Sequence, residues 1–129
     1  MLDTNIVIYV IKRKPIEILK IFNLHAGQMC ISSITLAELF HGTEKSTKRE
    51  HNLRYVEDFL SRLKVLEYAT KAAVHYGDIR ATLERKGTTI GVNDLHIAGH
   101  ARSEGLTLVT NNLRDFERVD GLLLDNWIE

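Results

Sequence analysis

Cysteine and proline are nearly missing from this chain. Cys30 is the single thiol, so no internal disulfide can form, and the expected setting is a reducing cytoplasm. In a short apolar stretch it reads as a small strand residue. Pro15 is the single proline, and no Pro/Gly/Ser-rich linker or internal repeat divides the sequence. No apolar run approaches the ~20 residues of a membrane span. The apolar opening MLDTNIVIYV lacks a basic leader and a small-residue cleavage site, so neither a membrane location nor a signal peptide is expected. Neither charge sign is in excess, with 17 basic and 17 acidic residues and a formal net charge of zero. That excludes a strongly cationic nucleic-acid coat, while leaving room for a local basic patch.

What remains is 129 residues, 44% hydrophobic and 26% charged, which suits a single domain over 1–129 with one core. Met1 and Leu2 read as a strand remnant, followed by a helix over Asn5 to Arg13. A second helix is expected over Pro15 to Leu24, with proline in its first turn. QMCIS (Gln28 to Ser32) reads as a strand and Ile34 to His41 as a helix ended by Gly42. Leu53, Val56, Phe59, Leu60 and Leu63 share helical spacing, giving a helix over Arg49 to Leu63. KVLEY (Lys64 to Tyr68) alternates like a strand. Lys71 to Lys86 is a long helix stopped by Gly87, and Asp94 to Glu104 a helix closed by Gly105. LTLVT (Leu106 to Thr110) is the clearest strand, and a last one covers Leu122 to Leu124. Strands alternating with helices predict an α/β fold with a central, mainly parallel sheet of four to five strands. Right-handed crossovers put the strand-to-helix turns on one edge, where ligands of such sheets bind.

Acidic residues gather on that edge. Asp3 follows the first strand, and Glu38 sits early in the helix after QMCIS. Asp94 begins the helix leading into LTLVT. Asn111 and Asn112 follow LTLVT directly, with Asp115 and Glu117 close behind. Each acid has a local explanation. Asp3 could cap a helix, Thr35-x-x-Glu38 fits a capping box, and Asp94 would gain from a helix dipole. Three such explanations still leave three negative charges converging. Two carboxylates ~4 Å apart repel by about 4 kcal/mol at an effective dielectric near 20. A divalent cation relieves that. Hard oxygen donors without thiolates or a histidine triad favour Mg²⁺ or Mn²⁺ over zinc. His96 and His100, four apart, lack a third partner and read as packing or surface residues. Such a site suits phosphodiester hydrolysis.

These residues also carry a family signature. MLDTNI, SSITLAEL, IGVNDLHIAGHA and LVTNNLRDFERV, in this order and spacing, resemble PIN-domain ribonucleases, and more narrowly the VapC toxins of bacterial toxin–antitoxin pairs. The resemblance implies a PIN-like α/β/α sandwich with an acidic pocket for Mg²⁺ or Mn²⁺. It implies endonucleolytic cutting of RNA, with transfer RNA as the expected substrate and translation as the process inhibited. It further implies neutralisation by a VapB-type antitoxin, a homodimer, and contact with DNA only through the antitoxin. Carried over by motif, Asp3 of LDTN, Glu38 of LAEL and Asp94 of the ND pair are the metal-binding acids. Many PIN domains have an aspartate where Asn112 stands. The fourth acid is then Asp115, with Asn112 as a polar ligand or neighbour of the ligands; the other readings are Asn112 alone or a three-acid site. Thr4, Asn5 and Thr110 are expected to support the acids or touch substrate. Only two residues precede Asp3, which predicts either a minimal first strand or a chain lacking a few native N-terminal residues.

Basic residues fall in four groups: Lys12, Arg13 and Lys14; Lys45, Lys48 and Arg49; Arg80, Arg85 and Lys86; and Arg102, Arg114 and Arg118. Those flanking the acidic cleft would supply salt-dependent phosphate contacts. The stretch HGTEKSTKREHNLRYVEDFLSRL is expected to form an apolar-faced helix beside the substrate groove, where the resemblance places the antitoxin segment. Two other readings compete with the toxin nuclease. One is a catalytically weak PIN-like module binding metal or a basic peptide, which Asn112 favours. The other is a DNA-directed nuclease, which the small size disfavours.

Overall fold

The computed structural model describes residues 1–128. Its elements run α1 (Thr4–Lys12), α2 (Ile18–Leu24), β1 (Cys30–Ser32), α3 (Ser33–Glu44), α4 (Arg49–Leu60), β2 (Lys64–Leu66), α5 (Thr70–Lys86), α6 (Val92–Ser103), β3 (Thr107–Val109), α7 (Leu113–Phe116) and β4 (Leu123–Asp125). β1 pairs with β2 and β3 with β4, both in parallel. The N-terminal residues join the two pairs. Leu2 N–H donates to Cys30 O (2.9 Å), Asp3 N–H to Val109 O (2.9 Å) and Val109 N–H to Met1 O (2.8 Å). The minimal first strand is thus the central one, and the spatial order is β2, β1, Met1–Leu2, β3, β4.

Alternation across this sheet explains the two layers. Met1, Cys30 and Leu108 point into a core with α5 and α6, through Ile79, Leu83, Leu95, Ile97 and Ala98. Their neighbours Leu2, Ile31 and Val109 point the other way, onto α1 (Ile6, Val7), Phe22, Leu39 and Val56. Successive strand side chains face opposite sides, so a sheet covered on both faces needs unbroken apolar strands. Leu2, Ile31 and Leu108 are fully buried, each worth about 1.5–3 kcal/mol of transfer free energy. Cys30 is one of these core residues. No helix among the described residues is long and apolar enough to cross a membrane.

Several boundaries differ from the sequence expectation. Pro15 does not start a helix. Residues 15–17 form a tight turn in which Ile18 N–H bonds Pro15 O and Leu19 N–H bonds Ile16 O, and α2 begins only at Ile18. Gly42 does not end α3, which runs on to Glu44; buried Thr43 donates to Leu39 O (3.0 Å) and holds that turn on the core. α4 stops at Leu60, where Arg62 N–H turns to the i−3 carbonyl of Phe59 and Lys64 N–H already bonds Met29 O beside β1. α6 starts two residues earlier than expected, at Val92. β1, β2 and β3 shrink from five residues to three each, β4 keeps three but is shifted by one residue, and α7, too short to show periodicity, was not foreseen.

The tightest helix crossing is that of α5 with α6. A Cβ on Gly99 would lie 2.9 Å from Tyr76 N and 3.1 Å from Ala72 O, both backbone atoms that cannot rotate away. Gly77, on α5, has nothing within 4 Å of that position. Gly99→Ala should therefore destabilise by about 1–3 kcal/mol, while Gly77→Ala should stabilise by up to about 1 kcal/mol. Urea unfolding of the two variants checks the opposite signs; equal effects would contradict the crossing.

Candidate active site

Asp3 stands where the central strand turns into α1, at 4% exposure. Oδ1 accepts from Thr4 N–H (2.8 Å) and Oδ2 from the Thr110 hydroxyl (2.9 Å). Burial pushes its pKa up; the bonds from Thr110 and Thr4 oppose that, and the charge of Glu38 adds to it. Thr110 is fully buried and its oxygen also accepts Asn112 N–H (2.9 Å), so the loop after β3 is tied to the first carboxylate.

Glu38 is not part of a capping box. α3 is capped by Ser32, whose Oγ accepts Ile34 N–H (3.0 Å). Thr35 therefore lies inside the helix, and Glu38 sits one turn further along. Its Oε1 accepts the Thr4 hydroxyl (2.7 Å), which also lies 3.1 Å from the Thr35 hydroxyl. Thr4 thus bonds its own backbone to Asp3 and its side chain to Glu38.

Asp94 lies in the first turn of α6, after the cap residue Gly91. Among the described residues no hydrogen bond reaches its carboxylate. Its pKa is pushed up to about 6, first by burial and then by the charges of Asp3, Glu38 and Asp115. Asp115 is half-buried in α7 and accepts from Asn112 Nδ2 (3.1 Å), with Arg118 at 3.8 Å. Glu117, at the end of α7, is exposed.

One cleft of about 490 Å³ is lined by Asp3, Thr4, Asn5, Glu38 and Asp94, together with His41, Lys45 and Asn93. The structure therefore brings together three of the sequence-predicted acids, with Asp115 beside them. Asn5 is exposed on the lining. His41 and Lys45 were missed as cleft residues; they follow Glu38 at helical spacing, which was the available signal. Asn93 was quoted only as the neighbour of Asp94. Tyr9, whose hydroxyl accepts from Asn111 Nδ2 (3.1 Å), was not foreseen. His96 and His100 pack as expected: His96 stacks on Tyr76 at 4.0 Å, and His100 is buried.

The donor set is oxygen alone, which suits a hard cation. Among the described residues no three carboxylate, imidazole or thiol groups close on one point as a ready-made cage. An open site of this kind fits Mg²⁺-like ions, which take one or two carboxylates and fill their remaining positions with water and substrate phosphate. Burial first, and then neighbouring carboxylate charge, raises both Asp3 and Asp94, as expected of acids in a shared cleft.

Of the four basic groups, three reach this edge, the last through Arg118, 3.8 Å from Asp115. Lys12, Arg13 and Lys14 rim a groove of about 750 Å³ that runs from Glu38 over Ile8, Ile11, Leu39, Tyr55 and Val56, and Lys45 lines the cleft itself. The α4 residues Asn52, Tyr55 and Val56 form one wall of the groove. Elsewhere, Arg80 bonds Tyr76, Lys86 pairs with Asp120 and Arg102 pairs with Asp78.

The comparisons with known proteins agree with this geometry. The family model of the PIN domain matches residues 1–122. Ribonuclease VapC2 of Haemophilus influenzae is 62% identical over 128 residues, covering 99% of this chain and 97% of that protein. The tRNA(fMet)-specific endonuclease VapC of Salmonella typhimurium is 58% identical over 127 residues, covering 98% and 96%. The crystal structure of DNA-bound VapBC from Salmonella typhimurium superposes with a TM-score of 0.95 at 58% identity, over 99% of this chain and 97% of that one. The chain belongs to the PIN-domain family and, within it, to the VapC ribonucleases. Nucleases of this family depend on divalent metal ions.

Because Asp94 binds its proton more tightly folded than unfolded, stability should fall as pH rises from its ordinary 3.8 to about 6 and stay lowered above that. In chelator, Asp94→Asn should then be more stable than wild type at pH 8, by about 1 kcal/mol after allowance for partial exposure and screening. The gain should vanish below pH 4. Thermal unfolding across this range checks it; a gain independent of pH would contradict the carboxylate cluster.

Proposed function

We propose that this chain is an Mg²⁺-dependent endoribonuclease toxin, able to use Mn²⁺, that hydrolyses phosphodiester bonds in transfer RNA and is neutralised by a VapB-type antitoxin. The observation that carries the reading is Asp94, raised to about 6 by burial and by the carboxylates of Asp3, Glu38 and Asp115. These groups come from four separate elements and share one place on the sheet edge. Asp3, Glu38, Asp94 and Asp115 are the groups that would hold the ion. When bound, a divalent cation neutralises charge at the scissile phosphate and acidifies water for attack.

The chain's own groups do the rest. Thr110 and the Thr4 N–H orient Asp3, and the Thr4 hydroxyl orients Glu38. Asn112 holds Asp115 rather than replacing it, which supports Asp115 as the fourth acid and weighs against a catalytically weak module. Lys12, Arg13, Lys14 and Lys45 stand where a bound RNA backbone would pass, and such contacts weaken with salt. The transfer-RNA reading is supported by the Salmonella relative's name. The antitoxin reading is supported by the VapBC complex among the structural neighbours. The groove over Ile8, Ile11, Leu39 and Val56 is the surface we assign to the antitoxin segment, and the working toxin is proposed as a homodimer in the bacterial cytoplasm.

Expression of wild type in bacteria should arrest growth and deplete a full-length transfer RNA. Asp3→Ala and Asp94→Asn should each lower cleavage in vitro by at least about a hundredfold, and EDTA should abolish the wild-type activity. Gel analysis of purified transfer RNA checks this. Full turnover by Asp94→Asn in Mg²⁺ would overturn the site.

A further inference from the structure

Asp94 and Glu38 sit on different helices, and no hydrogen bond among the described residues links their carboxylates. Thr4 holds Glu38 from the side of α1, and a further contact lies beneath both acids. His100 is 1% exposed on α6, and its Nδ1 is 2.8 Å from the hydroxyl of Ser32, the fully buried cap of α3. Among the described residues this is the one hydrogen bond that joins the start of α3 directly to α6. Asp94 lies less than two turns from His100 along α6, and Glu38 less than two turns from Ser32 along α3. Helices transmit displacement over such a length as rigid bodies.

The bond has a defined direction. Ser32 Oγ already accepts Ile34 N–H (3.0 Å). If the hydroxyl proton goes to His100 Nδ1, Ser32 is satisfied and only the Nε2–H group of His100 lacks a partner. The opposite tautomer would leave both the Ser32 proton and the Nε2 lone pair unmatched, a worse outcome for buried groups. Burial also holds this imidazole below its ordinary pKa, in the neutral form that accepts. Tyr68 braces the contact. Its ring stands edge-on to His100 at 5.5 Å, its N–H donates to Ser33 Oγ (3.0 Å) and its hydroxyl meets His96 Nδ1 (2.8 Å). An apolar pair would fill this space without an unmatched polar atom, so the polar pair specifies geometry beyond filling volume.

We propose that His100 is a positioning residue for the metal site, fixing through Ser32 the separation of Asp94 on α6 from Glu38 on α3. This rests on the metal-site reading above. It predicts weaker ion binding when the bond is lost, even in protein that remains folded. Groups bonded directly to metal ligands typically change metal affinity by about 10–100-fold, and a pair acting one step further out is expected at the low end of that range.

The test is Mn²⁺ binding to the RNA-free protein, followed by electron paramagnetic resonance, with thermal unfolding in parallel. His100→Leu, which keeps bulk and loses the acceptor, should bind Mn²⁺ about tenfold more weakly than wild type. His100→Asn, which can place an acceptor near the Nδ1 position, should recover part of that loss. Combining His100→Leu with Ser32→Ala should cost no more affinity than the larger single effect. Folded His100→Leu binding Mn²⁺ as wild type does would overturn the proposal and leave the site reading intact. Wild type that binds no Mn²⁺ would overturn the site reading, and this inference with it. Should His100→Leu not accumulate as folded protein, His100→Phe, which keeps a ring and loses the acceptor, gives the same comparison with the α3 cap intact.

Discussion

Carboxylates that repel one another are held together here by the parallel sheet. The strands run the same way, so their carboxyl ends share an edge, and the chain leaves that edge through Asp3, Ser32 and Thr110. Helix α6 runs back toward the sheet and presents its N-terminus, with Asp94, to the same place. The electrostatic conflict is written in Asp94, whose proton is retained to about pH 6. Hydrophobic burial on both faces of the sheet supplies the stability that lets the conflict persist. A bound cation would relieve the carboxylate part of that cost.

The central strand carries unusual weight for its length. Met1 and Leu2 bond both neighbouring strand pairs and send their side chains into opposite cores. The next two residues then build the site: Asp3 accepts hydrogen bonds from Thr4 and Thr110, and the Thr4 hydroxyl donates one to Glu38. Four consecutive residues thus join both halves of the sheet and two of the acids. The same economy recurs at Ser32, which caps α3, ends β1 and meets His100.

Much of this was legible in the sequence because it follows from periodicity and chain order. Apolar strands alternating with amphipathic helices implied the parallel sheet, and the sheet implied one edge for Asp3, Glu38 and Asp94. The resemblance of LDTN, LAEL and ND to PIN-domain motifs pointed to the same residues. What stayed hidden depends on contacts between distant segments. Thr35-x-x-Glu38 has the spacing of a capping box, but Ser32 competes for the cap and wins, and Glu38 is taken by Thr4. Gly42 looks like a helix stop, yet packing of Thr43 carries α3 past it. Asp115 could be named from the sequence as the fourth acid, but not the hydrogen bond by which the Asn112 amide holds it. His100 gives no signal in one sequence, since its partner is 68 residues away.

The central claim is that remote acidic side chains form one cation site. Crystals grown with Mn²⁺, measured for anomalous scattering at the manganese edge, test it most directly. The account predicts a peak in the cleft bounded by Asp3, Glu38 and Asp94, absent from Asp94→Asn crystals. A clean map with no peak in that cleft, or with manganese bound only elsewhere on the surface, would contradict it.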